Sequence, residues 1–349
     1  MSLSYERLAD SSNEDEEEVN VMHLRNVLSH RRFDKDGGND SEVTFTVEDA
    51  VEHIGFGKFQ IFLTLIMGTF SFSDACEMML LAVLSPVLRC HWQLSSFQVA
   101  CITTVVFVGM LIGSPVFGTP QTDLDETCSP RKNPRSLYIR LPQDHLQLWY
   151  LWFSAAFGYY GLVLISSEIL EFDSVCGAME KWNQDSLSED VCYCQLLTKS
   201  DYLTLIFTTL GELLAIPINM ILPDVIGRTR LLCLYFVVSA IGNGLILVCS
   251  TRLVLTITVF AVRACTSGIF NIVYLYTVEV YPTTVRALGL GSGSAIARVG
   301  AMITPFVAQV LLTYSIRSAM ILYAGVCLLA SILSITLPIE TKGRSIQEI

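Results

Sequence analysis

Residues 202–250 read YLTLIFTTLGELLAIPINMILPDVIGRTRLLCLYFVVSAIGNGLILVCS, two long apolar runs on either side of a short charged link. The runs cover about 202–224 and 231–250, and crossing the hydrocarbon core of a bilayer takes about 20 residues of helix. Six more runs of this kind lie on either side, at about 59–84, 98–117 and 146–170 before it and at 253–276, 288–312 and 319–337 after it. The composition agrees. Hydrophobic residues make up 52% of the 349, and charged residues only 16%, where a soluble domain keeps about 25%. The expectation is an all-α membrane protein with eight transmembrane helices.

The charge that remains is unevenly placed. Fourteen of the 33 acidic residues precede Lys58, against five Lys and Arg. Residues 1–58, with the run Glu14-Asp15-Glu16-Glu17-Glu18 and the patch Gly37-Gly38-Asn39-Asp40-Ser41, are too polar to bury a core and are expected to form a solvated, disordered tail. The start of the chain has no basic region followed by a short apolar core, so the first apolar helix is expected to insert directly and remain. Residues 119–145 are rich in Pro, Asp and Arg, lack apolar periodicity and read as a junction loop. Residues 146–338 then hold six spans, and 339–349 form a C-terminal tail.

Eight spans put both termini on one side. The segments on that side hold fifteen Lys and Arg and the opposite segments five, so both termini are expected in the cytosol. The acidic loop 171–200 then faces outward or into a lumen, where oxidising conditions could pair two of Cys176, Cys192 and Cys194. The other cysteines lie mostly singly in apolar runs and read as small packing residues.

Ionisable groups at membrane depth are costly, so each is a candidate functional residue. Asp74 and Glu77 lie three apart in the first span and share a helical face. Two carboxylates so close repel, which lets one of them hold and release a proton. The alternative is a structural pair neutralised by an arginine. Arg263 and Arg298 sit near the middle of their spans and need counter-charges, for which Asp74, Glu77 and Glu212 are the candidates. Glu212 follows Gly211 and precedes Pro217, a pattern that bends a helix. Tyr159, Tyr160 and Asn271 add hydrogen-bonding groups, either along a solute pathway or as contacts between helices. Gly289, Gly293, Ala297 and Ala301 recur every fourth residue and make a smooth ridge for close packing, as do Gly109 and Gly113. No His/Cys ligand cluster, Ser/His/Asp set or phosphate loop is present. The sequence therefore suggests no catalytic residue, metal, cofactor or nucleic-acid partner, and an enzyme is not expected.

Three motifs at the expected cytosolic edges carry a resemblance. Asp224-Val225-Ile226-Gly227-Arg228-Thr229-Arg230 closes the fourth span. Glu279-Val280-Tyr281-Pro282-Thr283-Thr284-Val285-Arg286 joins the sixth and seventh. Pro338-Ile339-Glu340-Thr341-Lys342-Gly343-Arg344 follows the eighth. Together they resemble the C-terminal half of the major facilitator superfamily in its sugar-porter-like branch. Ile54-Gly55-Phe56-Gly57-Lys58-Phe59, leading into Asp74-Ala75-Cys76-Glu77, is similar to the synaptic-vesicle-protein-related transporters of that superfamily. The resemblance implies secondary transport of a small solute, coupled to a proton or another cation, in a bilayer that can be an intracellular vesicle membrane. It also implies a cytosolic gate made by Asp224, Gly227, Arg228, Arg230, Glu279, Arg286, Glu340 and Lys342.

The departure from the family is as informative. Members have twelve spans, and the second should lead into a Gly-x3-Asp-Arg-x-Gly-Arg loop. Here Gly118 is followed by Thr119-Pro120-Gln121, and the chain resumes at what resembles the family's seventh helix. The third to sixth helices are absent on this reading, which gives an incomplete fold of two N-terminal helices plus a whole six-helix half. The alternative function is a non-transporting membrane protein that binds a ligand or pairs with a full-length relative.

The charge tally yields a test of orientation. A membrane-impermeant thiol reagent applied to sealed cells should label Cys192 or Cys194 and leave Cys128 untouched; labelling of Cys128 refutes the orientation.

Overall fold

The computed structural model describes residues 55, 57–118, 142–170, 198–248, 251–281 and 283–343. They form eight long helices: α1 (Lys58–His91), α2 (Ser96–Gly118), α3 (Pro142–Leu170), α4 (Lys199–Ile226), α5 (Arg228–Ile246), α6 (Arg252–Val280), α7 (Thr283–Pro305) and α8 (Ile316–Ile335). A π-helical stretch, Phe306–Leu311, and a single turn, Leu312–Tyr314, join α7 to α8. Among the described residues there is no strand. Helices α3 to α8 are each long and apolar enough to cross a membrane, while α1 and α2 carry shorter apolar stretches, Lys58–Thr69 and Ser96–Ile112.

Several bounds differ from the hydropathy reading because local capping decides them. Helix α3 starts at Pro142, inside the expected junction loop, since proline fits the first turn, where an N–H would have no partner. Helix α4 starts at Lys199, where the Asp201 carboxylate accepts from the Thr198 N–H at 2.7 Å and from its hydroxyl at 2.6 Å. Helix α5 stops at Ile246, short of the expected 250. Residues 119–141, and the loop cysteines Cys176, Cys192 and Cys194, lie outside the described residues.

The chain divides after Thr69 into two units. The described part of the first is the start of α1, whose Phe59, Phe62 and Leu65 are exposed. In the second, residues 70–349, the most intimate helix pairs are α5 with α8, α3 with α7 and α4 with α6. Helix α3 is the central one, with 78% of its apolar window buried, whereas α4 is peripheral at 24%. One core gathers around Trp152, Phe236 and Tyr276, and a second around Leu164, Val262 and Tyr323.

Missing side chains set the closest approaches. A Cβ on Gly211 would stand 2.8 Å from the Phe260 carbonyl oxygen, so α4 meets the α6 backbone at the residue before Glu212. On α7 the small-residue ridge packs as the spacing predicts: a Cβ on Gly293 would stand 2.5 Å from the Trp152 indole nitrogen, and Ala301 is fully buried. The matching ridge in α2 does not form at Gly109, which has open space around it. Instead α2 holds α7 through the Thr104 hydroxyl, which donates to the Met302 carbonyl at 3.3 Å. The indole N–H of Trp152 donates to the Thr277 hydroxyl at 3.1 Å, tying α3 to α6 as well.

The contrast between two nearby glycines makes this packing testable. Gly293→Val should lower stability by about 1–3 kcal/mol, the usual cost of overpacking a filled contact, and should depress the melting temperature in detergent. Gly291→Ala, where no atom lies within 4 Å, should leave it unchanged or slightly raised. Equal melting of the two variants overturns the close approach of α3 and α7.

Candidate functional site

Arg263 lies in the middle of α6 with its side chain 2% exposed. Its Nε and Nη2 stand 3.0 and 2.9 Å from Oε1 of Glu212 on α4. The other carboxylate oxygen, Oε2, accepts from the Tyr159 hydroxyl on α3 at 2.9 Å. Three helices are thus joined by one charged group and its partners, and both carboxylate oxygens are engaged. The remaining guanidinium nitrogen, Nη1, is buried without a partner among the described residues.

Next to this triad, α3, α6 and α7 enclose a cavity of about 250 Å³. The rings of Tyr159, Tyr160, Phe270 and Tyr274 line it, with Asn271 and Arg298 among its polar groups. The Tyr159 and Phe270 rings meet edge to face at 5.6 Å. Arg298 points one nitrogen at the Met110 thioether, 3.0 Å away. No carboxylate pairs with it among the described residues. Glu77 is exposed, and the side chain of Asp74 lies outside the described residues, so neither is placed beside an arginine.

A second charged group gathers at the turn between α4 and α5. Arg228 makes a two-pronged pair with Glu279 of α6, Nη2 to Oε1 at 2.9 Å and Nε to Oε2 at 3.1 Å, and its Nη1 reaches Asp224 at 2.9 Å. The paired fork geometry is the stronger kind of ion pair. Glu279 also accepts from the Thr341 hydroxyl. Glu340 accepts the backbone N–H groups of Arg228 and Thr229, at 2.8 and 3.2 Å, and the Thr229 hydroxyl. It therefore caps the start of α5, a position where a carboxylate meets free N–H groups and the positive end of the helix dipole. Gly227 makes room for it: its φ is +100°, and a Cβ there would come within 2.9 Å of the Glu340 carboxylate.

Residues 195–348 match the Major Facilitator Superfamily. A synaptic vesicle 2-related protein of Pongo abelii is 30% identical over 497 aligned positions, spanning 98% of this chain and 90% of the relative. Its counterpart in Xenopus laevis is 31% identical over 465 positions, spanning 90% and 84%. The Homo sapiens protein named "Putative transporter SVOPL" is 30% identical over 461 positions, spanning 88% and 94%. The chain belongs to the major facilitator superfamily. Against its 349 residues, an alignment of 497 positions includes well over a hundred for which this facilitator has no residue.

The facilitator's expected gate residues do not all meet. Glu279, Arg228, Asp224 and Glu340 come together, and the Lys342 ammonium donates to the Val225 carbonyl at 2.6 Å. Arg230 is exposed. Arg286 does not pair with Glu279; its Nε donates to the Tyr281 carbonyl at 3.3 Å, and its Nη2 is buried without a partner. The break at Tyr281 turns Arg286 onto α7, where it caps the end of α6 instead. At the start of the expected C-terminal tail, Thr341 is buried and Glu340 docks on α5.

The sequence reading missed the opposite ends of the helices. There Arg89 of α1 pairs with the buried Glu168 of α3 at 2.9 Å, and Arg252 of α6 pairs with Asp201 of α4. Gln309 in the π-helical stretch donates to the Ser85 hydroxyl at 3.0 Å, joining α7 to α1. Glu168 and Gln309, polar residues within or beside apolar runs, were the available signals.

Glu340 supplies a pH test. Burial works against its charged form, but the Thr229 hydroxyl and the backbone N–H groups outweigh it and hold the carboxyl below its ordinary 4.5. A carboxyl depressed by folding adds stability above its unfolded pKa and loses it as pH falls through the folded value. Wild type should therefore exceed Glu340→Gln by about 1–3 kcal/mol at neutral pH, with the gap shrinking only below about pH 4.5. Unfolding curves with a gap that persists undiminished at pH 3 refute the role of the charge.

Proposed function

We propose that the fold serves secondary active transport of a small solute, coupled to a proton or another cation, by alternating access. The observation that supports this best is the cavity of about 250 Å³ beside a buried charged triad, at the depth where such carriers hold their solutes. The charged cluster around Arg228 fits a gate at the cytosolic end, the side on which the Lys and Arg tally puts both termini. The pair of Arg228 with the exposed Asp224 adds about 0–1 kcal/mol to stability, and a bias of that size is enough to shift a conformational equilibrium several-fold. The names of the relatives associate them with the synaptic vesicle, and we extend an intracellular vesicle membrane to this chain.

A second reading has its own support. The alignment positions without a counterpart suit the loss of four helices after Gly118. Alternating access needs two opposed halves, and here the second half is represented by α1 and α2 alone. The chain would then bind a ligand or pair with a full-length relative without transporting. Uptake into vesicles reconstituted with this chain, next to a twelve-helix relative, separates the two readings. We expect uptake by the relative and none by this chain; uptake by both removes the second reading.

The coupling role falls to Asp74 and Glu77. In the twelve-helix relative, Asn at the position of Asp74 or Gln at that of Glu77 should abolish the pH dependence of uptake while expression and delivery stay normal. If the pair is structural, the same changes lower expression, because breaking a buried charge pair costs about 3–5 kcal/mol. Normal, pH-sensitive uptake by both variants eliminates coupling at this pair.

A further inference from the structure

Among the described residues, the charges that line the cavity do not balance. Among the described residues that line it, Arg298 is the charged one. The carboxylate closest in the network, Glu212, is spent on both oxygens, one on Arg263 and one on Tyr159. Among the described residues Arg298 has the Met110 thioether and no carboxylate, and a thioether is a weak acceptor. A cation held at membrane depth without a counter-charge is costly, and the cost falls when an anion arrives.

The other lining groups say what body that anion carries. The rings of Tyr159, Tyr160, Phe270 and Tyr274 offer flat apolar faces, and Ser267 and Ser294 offer hydroxyls. Resting on the carrier reading above, we propose that the cavity takes an organic anion, a carboxylate or sulfonate on an aromatic or other flat body, with Arg298 as its charge partner. The guanidinium fork matches a carboxylate with two parallel hydrogen bonds. A cationic solute would bring a second positive charge next to Arg298, with no carboxylate among the described residues that line the cavity. A neutral polyol would leave the guanidinium unmatched.

The test is titration calorimetry on the purified full chain in detergent, with benzoate, benzamide and benzylamine as probes of equal shape and different charge. Benzoate should bind at least about tenfold more tightly than either of the others, the yield of one charge-assisted hydrogen bond. Arg298→Gln should weaken benzoate binding by about the same factor while leaving benzamide unaffected, and Arg298→Lys should keep part of the preference. Melting curves check that each variant is folded; if Arg298→Gln is not, the three probes on the unaltered chain decide alone. No binding of benzoate, equal binding of benzamide, a preference for benzylamine, or unchanged benzoate affinity in a folded Arg298→Gln overturns the proposal. Uptake of benzylamine by the twelve-helix relative would leave the carrier reading standing and sink the anion. Selective benzoate binding with no uptake by that relative would do the reverse.

Discussion

A buried guanidinium must find its counter-charge inside the bundle, and Arg263 imposes that demand on three helices at once. Its side chain is almost wholly buried, and Glu212 answers it from α4 while Tyr159 holds the second carboxylate oxygen from α3. The meeting requires α4 and α6 to lie close, and Gly211 next to Glu212 permits it by removing the Cβ that would strike the Phe260 carbonyl. A buried pair of this kind is not a strong source of net stability, since desolvation offsets most of the attraction. What it fixes is register. Sliding α4 by one turn along α6 would leave both charges unpaired at a depth where water cannot help, so the walls of the adjoining cavity inherit a defined alignment.

The same logic runs at the helix ends with different chemistry. Where α4 turns into α5, the free N–H groups of Arg228 and Thr229 are met by Glu340, and the Arg228 side chain is met by Glu279 and Asp224. At the opposite ends, Arg89 meets Glu168 and Arg252 meets Asp201. The middle of the bundle is held by one triad around a buried guanidinium, and both ends by pairs whose arginines are more exposed.

Hydropathy made the eight helices legible, since the length of an apolar run is a property of sequence alone. Intramembrane charges made Glu212, Arg263 and Arg298 legible for the same reason. Pairing was harder to read, because it depends on the rotation of each helix about its axis. Glu279 has Arg286 seven residues away, yet it pairs with Arg228, which is distant in sequence and close in space; Arg286 lies on the next helix and turns to the Tyr281 carbonyl instead. Arg89, Glu168 and Gln309 were passed over because each sits within or beside an otherwise ordinary span. Glu340 belongs to the gate that the resemblance implies, but its capping of α5 is not legible there, since what draws it is the bare N-terminus of a helix more than a hundred residues earlier.

That docking has a consequence for biosynthesis. A ribosome delivers the start of α5 to the membrane more than a hundred residues before it translates Glu340. Until then the start of α5 has its N–H groups open and Arg228 has only the partners already made. The α4–α5 turn can close only after Glu340 has been translated, so this end of the bundle is completed later than the helices it joins. A chain cut short before residue 340 would hold all eight described helices and still leave that turn unsealed.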